Sequence, residues 1–177
     1  MMTVGVVLLL RRLLPAPTPV SLGFALPKRS QLFFAAQVAV GMVVMNAVIQ
    51  GMINRSIGSY ADPGIAWMAP HRGIVDYCND ILVGSVATPI VEETLFRGLL
   101  FAGLAQWVPA WLAAPFSALV FALWHQEPYG ILQLTVMGVW LAYAYYGSGT
   151  LWAPIAVHAA NNWLVITVSF AANSLAP

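Results

Sequence analysis

Charged side chains are scarce in this chain. Only 7% of its 177 residues are Asp, Glu, Lys or Arg, whereas 60% are hydrophobic. A soluble domain carries about 25% charged residues, so this composition excludes a surface covered by charge and predicts an integral membrane protein. The net charge of +1 provides no basic field of the kind that attracts nucleic acid. The lipid bilayer is therefore an expected partner, and nucleic acid is not.

Two further features are missing. Cys78 is the only cysteine, which excludes an intrachain disulfide. The N-terminus lacks the order of a signal peptide, in which charge precedes the apolar run, because Arg11 and Arg12 follow the run instead. Residues 1–14 are therefore interpreted as a short first membrane helix or one lying on the membrane surface, with no cleavage implied.

Long apolar runs dominate the rest of the chain. A membrane-spanning helix needs about 20 mostly apolar residues, and runs of this kind, rather than short alternating strands, favour helices over a barrel. The pattern predicts an all-α polytopic membrane helix bundle in one domain, 1–177, with five to six transmembrane helices. The predicted spans are 31–53, 73–106, 109–126, 129–146 and 150–172, with 1–14 as a sixth.

Charge and proline separate the first span from the second. Residues 54–72 contain charged residues and two prolines, and we interpret them as a loop outside the membrane. Arg11, Arg12, Lys28 and Arg29 precede the first span without any acid between them. Positively charged loops stay in the cytoplasm, so the first loop is predicted to be cytoplasmic.

The stretch VEETLFRGLL, residues 91–100, places three ionisable groups in an apolar setting. Such groups are costly in a membrane and suggest function. Glu93 and Arg97 are four residues apart and share a helix face, so they can neutralise each other. Glu92 is rotated about 100° away and lacks a partner in its own helix. This asymmetry predicts a supporting role for Glu93 and Arg97 and a chemical role for Glu92. The alternative is one network that only holds helices together.

Other polar groups occur within later apolar segments. His125 follows Phe121 by one turn, and His158 precedes Asn162 by one turn. Taken singly, His125 could be an interfacial histidine, and His158 with Asn162 could join helices. If they converge with Glu92, two chemistries are open. The carboxylate could activate a water, with His and Asn donors at an oxyanion, or Glu92, His125 and His158 could bind Zn²⁺ with one open position.

Three motifs carry a family resemblance. EETLFR fits EExxxR, FALWH fits FxxxH and HAANN fits HxxxN, in that order, on successive apolar segments within residues 80–165. Together they resemble the CPBP, or Abi, family of intramembrane proteases, which includes CAAX prenyl endopeptidases and bacteriocin-processing or self-immunity proteins. The chain is short for this family and is expected to be close to its catalytic core.

The resemblance implies an intramembrane endopeptidase of the glutamic type, a class formerly counted among metalloproteases. It implies that Glu92 activates water, that His125 helps to hold it, and that His158 and Asn162 stabilise the oxyanion. It implies that Glu93 and Arg97 form the supporting ion pair, with Phe121 as a further supporting residue. The expected substrate is a membrane protein or peptide, with a C-terminal sorting or lipidated tail as one hypothesis. No cofactor is expected, and Zn²⁺ is the alternative. A multi-pass protein of the bacterial inner membrane is implied.

Two other classes of function compete with a protease. A transporter could use the buried Glu and His residues as a proton relay, although no inverted repeat is evident. A non-catalytic scaffold or immunity protein could retain the fold, but the full set of Glu92, His125, His158 and Asn162 argues against it. Asn46 and Gln50 are expected to make helix-packing contacts, and residues 73–80, with Asp76 and Asp80, are expected to lie in water.

Overall fold

A computed structural model describes residues 23–57 and 73–175, without the side chains of 173–175. The predicted helix 1–14 and residues 58–72 of the predicted loop lie outside this part of the chain. The described residues contain five long helices and no strand, which confirms the all-α fold. The helices are α1 (Arg29–Ile57), α2 (Ile74–Leu104), α3 (Ala110–Trp124), α4 (Ile131–Ser148) and α5 (Trp152–Leu175).

Three of these helices are long and apolar enough to cross a membrane. They comprise Arg29–Ser56, Ile74–Leu104 and Trp152–Ala172. The apolar α3 has 15 residues and α4 has 18, both below the usual spanning length of about 20. Large apolar side chains on the outside of α1, such as Phe33, Val40 and Met52, are well exposed. This exterior suits a lipid environment.

Proline and glycine set several helix ends. Pro109 lies in an extended conformation immediately before α3, and it cannot donate a backbone hydrogen bond. Gly149 ends α4 in a left-handed conformation with φ 68°, where glycine avoids the clash that a Cβ would cause. The sequence therefore encodes the short connections that place α3, α4 and α5 side by side.

Helix α2 departs twice from regular α-helical geometry. Residues Ile81–Ala87 and Thr94–Phe101 are π-helical, and Thr88–Glu93 between them is α-helical. In the first π stretch, Thr88 N–H donates to the Val83 carbonyl five residues earlier. The next donor in that series would be residue 89, but proline has no N–H. The carbonyl of Gly84 is thus left for a partner outside the helix.

Helix α4 packs against α1, α3 and α5 and forms much of the core. One cluster joins Met42 of α1 to Leu141 of α4 and Val157 of α5. A second joins Phe96 of α2 to Phe121 of α3 and Leu134 of α4. Each cluster brings at least three helices together, so the bundle holds polar side chains from different segments at fixed positions.

Residues 73–80 were predicted to lie in water, and this prediction is wrong for Asp80. Asp76 is exposed, but Asp80 is only 1% exposed, because the helix already begins at Ile74 and its next turns pack against α5. Helix α1 also continues to Ile57, four residues into the predicted loop 54–72.

Gly138 allows α3 and α4 to approach closely. A Cβ at this position would lie 2.7 Å from the Ala118 Cβ and 2.9 Å from its Cα. We expect Gly138→Ala to lower the free energy of unfolding by about 1–3 kcal/mol, the usual cost of overpacking, in thermal unfolding of the purified protein in detergent. Gly51→Ala is the matched control, since nothing lies within 4 Å of its Cβ position. Equal stability of the two variants would contradict this account of the packing.

Candidate active site

Glu93 lies at the centre of a buried network. Its Oε1 accepts a hydrogen bond from Arg97 Nη1 at 2.8 Å and lies 2.8 Å from His158 Nδ1. The side chains of Glu93, Arg97 and His158 are 0%, 1% and 3% exposed. The predicted contact between Glu93 and Arg97 is present, but Glu93 also contacts His158, a residue 65 positions away. One carboxylate therefore joins α2 to α5.

Arg97 has two further contacts that hold its guanidinium in place. Its Nη2 donates to the carbonyl of Gly138 at 3.2 Å, and its Cζ lies 4.6 Å from the centroid of the Phe121 ring. The aromatic face attracts a cation. Phe121 also packs edge-on against His125 and His158, with ring centroids 4.6 Å and 6.1 Å away. Phe121 thus packs against the guanidinium of Arg97 and against both imidazole rings.

The hydrogen bonds place a proton on Nδ1 of both histidines. His125 Nδ1 lies 2.8 Å from the carbonyl oxygen of Phe121, which can only accept, so this nitrogen carries a proton. His158 Nδ1 lies beside Glu93 Oε1, which also accepts a hydrogen bond from Arg97, so Nδ1 is assigned as the donor. Both Nε2 atoms are therefore directed away from these partners.

Both Nε2 atoms lie near Glu92. The distance from His125 Nε2 to Glu92 Oε1 is 3.9 Å, and that from His158 Nε2 to Glu92 Oε2 is 3.8 Å. These separations exceed a direct hydrogen bond. Glu92 is 14% exposed, and its buried Oε2 has no hydrogen-bond partner among the described residues. The structure thus brings one carboxylate and two imidazoles from three helices to a single point.

Asn162 is held by the irregular part of α2. Its Nδ2 donates to the Gly84 carbonyl at 2.9 Å, which is the carbonyl that Pro89 leaves without a backbone donor. An amide nitrogen has two hydrogens, so one remains for another acceptor. Asn162 lines the same cavity as Glu92, His125 and His158, and the four predicted catalytic residues therefore share one space.

This cavity has a volume of about 290 Å³ and receives residues from all five helices. Its polar lining includes two side chains that the sequence reasoning did not place there, Asn46 of α1 and Gln133 of α4. Asn46 was expected to make a helix-packing contact, so its place in the cavity wall is a correction. A polar residue within the apolar stripe of α1 was the available signal.

A second, more open concavity adjoins Glu92. It is lined by Val91, Leu95, Phe96 and Trp124, and it shares Thr88 and Glu92 with the first cavity. Glu92 therefore borders both the cavity that holds the polar site residues and a second, largely apolar concavity.

A metal site requires several ligand side chains that lie close together. Within residues 23–57 and 73–175, no three His, Cys, Asp or Glu side chains are grouped so that they could hold a metal ion. Glu92, His125 and His158 are nonetheless the residue types that bind Zn²⁺ in catalytic sites.

The fold and the cavity define an all-α membrane protein with a buried site of carboxylate, imidazole and amide groups. The chain belongs to the family described as Type II CAAX prenyl endopeptidase Rce1-like, whose sequence model matches residues 75–164. This match confirms the family resemblance found in the three motifs, because the CPBP proteases include the CAAX prenyl endopeptidases.

Two relatives show how far the similarity extends. The chain is 31% identical over 86 residues to the "Putative membrane peptidase YdiL" of Bacillus subtilis, covering 49% of this chain and 35% of that protein. It is 26% identical over 125 residues to an "Uncharacterized 24.3 kDa protein" of Escherichia coli, covering 67% of this chain and 57% of that protein. The chain thus spans only part of each relative. No solved structure matches it significantly.

Proposed function

We propose that this protein is an intramembrane endopeptidase in which Glu92 activates water to hydrolyse a peptide bond. The single observation that carries the proposal is the position of Glu92, whose Oε atoms lie 3.8–3.9 Å from two imidazole Nε2 atoms in one cavity. A bridging water fits between polar groups that are too far apart for a direct hydrogen bond. Membership of the family supports proteolysis in general.

In the proposed reaction Glu92 acts as the carboxylate that accepts a proton from water. His158 donates from both ring nitrogens, from Nδ1–H to Glu93 and from Nε2–H to the oxyanion. Arg97 and His158 then carry two positive charges against two negative charges on Glu93 and Glu92, so the cluster buries no net charge.

The reaction follows from these roles. Glu92 removes a proton from water while His125 Nε2 accepts the hydrogen bond of the other water hydrogen. The resulting hydroxide attacks the scissile carbonyl carbon, and the oxyanion accepts hydrogen bonds from His158 Nε2–H and the second N–H of Asn162. Glu92 then gives its proton to the leaving nitrogen as the C–N bond breaks. One amide and one water become a carboxyl group and an amine.

The substrate is proposed to be a membrane protein or a membrane-anchored peptide. The largely apolar concavity beside Glu92 supports this proposal, since it offers an apolar approach to the site. A C-terminal sorting tail or a lipidated tail is the finer hypothesis, and a multi-pass location in a bacterial inner membrane fits it. A zinc-dependent mechanism using Glu92, His125 and His158 is the alternative, because these residue types bind Zn²⁺ in catalytic sites.

The experiment is a cleavage screen with the purified protein in liposomes. The probes are single-span peptides with varied C-terminal tails, including a farnesylated one, and soluble peptides of matched sequence. We expect cleavage of anchored peptides by the parent protein and its loss in His158→Ala. Proton flux across the same liposomes is measured in parallel. Proton flux without any cleavage would overturn the protease proposal in favour of a transporter.

A further inference from the structure

Asn46 interrupts the apolar stripe of α1. Val38, Met42 and Ile49 are buried on this stripe, and Asn46 lies one turn after Met42 on the same side of the helix. Its Oδ1 atom is buried and has no hydrogen-bond partner in the part of the chain that the structure describes. A buried acceptor without a partner lowers stability, so a purely structural role does not account for an amide at this position.

The surroundings of Asn46 point to a ligand. Its side chain lines the cavity that also contains Glu92 and His158, and α1 contributes none of the predicted catalytic residues. Gln50, one turn further along α1, is a useful contrast. Its Nε2 donates to Asn54 Oδ1 at 3.0 Å, and it does not line the cavity. Of these two amides on one helix, only Asn46 is directed to the site.

The chemistry of a peptide substrate supplies the missing partner. A segment must be unwound for hydrolysis, and its N–H and C=O groups then lose their helical hydrogen bonds. Such groups must be satisfied within an apolar medium. A carboxamide offers one acceptor and two donors, which complements the N–H and C=O of a peptide main chain. The other amide of the predicted site, Asn162, already donates to Gly84.

We propose that Asn46 is a substrate-binding residue whose Oδ1 accepts a hydrogen bond from a main-chain N–H beside the scissile bond. The inference rests on the proposed endopeptidase function and assigns part of its substrate site. It gives α1 a role in peptide recognition, separate from the chemistry on α2, α3 and α5.

The test combines a side-chain change with a main-chain change. The probe is the anchored peptide cleaved fastest in the liposome screen, together with versions in which one N–H near the scissile bond is replaced by an ester oxygen. Asn46→Leu is expected to lower kcat/KM about tenfold, mainly through KM, as the loss of one buried hydrogen bond would. At one ester position the parent protein should also lose about tenfold in kcat/KM relative to the all-amide peptide. On that ester peptide Asn46→Leu should show no further loss.

Stability and a matched variant separate binding from folding. Asn46→Leu should melt at the same temperature as the parent protein or higher, because it removes a buried amide oxygen that has no hydrogen-bond partner among the described residues. Gln50→Leu is the control and should cleave every peptide as the parent does. Asn46→Ala is tested in the same way if the leucine variant does not fold.

Three outcomes overturn the inference. An unchanged kcat/KM in the Asn46 variants contradicts the role of Asn46 but not the proposed endopeptidase function. The same holds if the parent protein and the variant lose activity equally on every ester peptide. Absence of cleavage by the parent protein overturns the proposed function and this inference together.

Discussion

Glu92→Gln is expected to lower the rate of peptide cleavage by a factor of about 10² to 10⁴, the usual contribution of a positioned general base. Glutamine has nearly the same shape as glutamate but cannot accept the proton of the water. The buried Oε2 of Glu92 has no hydrogen-bond partner among the described residues, so the neutral variant should retain its melting temperature or exceed it. Single-turnover cleavage in liposomes and thermal unfolding in detergent give the two measurements.

A second glutamate provides the control for this substitution. Glu127 lies two residues after His125 and does not line the cavity, so Glu127→Gln should cleave at the rate of the parent protein. A similar loss in both variants would mean that glutamine at either position disturbs the protein as a whole. Near-normal cleavage by Glu92→Gln would show that another group activates the water.

Arg97→Met is expected to lower the free energy of unfolding by about 3–5 kcal/mol, the cost of leaving one partner of a buried ion pair without the other. Glu93 is fully buried, and Arg97 supplies its positive partner at 2.8 Å. The substitution also removes the donor to the Gly138 carbonyl. Chemical unfolding of the purified protein in detergent measures the loss.

The double variant Arg97→Met with Glu93→Gln distinguishes charge from packing. It removes both charges, and a neutral replacement of a buried pair is often tolerated, so much of the stability should return. His158 would still have an amide oxygen to which its Nδ1–H can donate. If the single variant is as stable as the parent protein, the ion pair does not hold the site together.

The sequence was sufficient to predict the helical architecture and to name four polar residues that lie together. Long apolar runs predicted α1 to α5 within a few residues, and the three motifs named Glu92, His125, His158 and Asn162, which do share one cavity. Their roles remain predictions. The spacing of Glu93 and Arg97 also predicted their contact, because residues four apart on a helix meet whatever the rest of the fold does.

Contacts between distant segments could not be predicted from the sequence. Helical spacing relates only residues of the same helix, so the sequence does not predict the bond between His158 and Glu93. The link from Asn162 to Gly84 depends on the π-helical stretch beside Pro89, whose geometry a single sequence does not reveal. Asp80 and Asn46 were misplaced for a similar reason. Their burial depends on which face of α2 or α1 the other helices cover.

The central claim is that Glu92 performs hydrolysis without a metal ion. The most direct measurement is the cleavage rate of one anchored peptide in liposomes, for the parent protein and Glu92→Gln, before and after treatment with a zinc chelator. We expect the parent rate to be unaffected by the chelator and the Glu92→Gln rate to be very low under both conditions. A parent rate that is lost with the chelator and restored by added Zn²⁺ would contradict the claim and assign Glu92, His125 and His158 to a metal site.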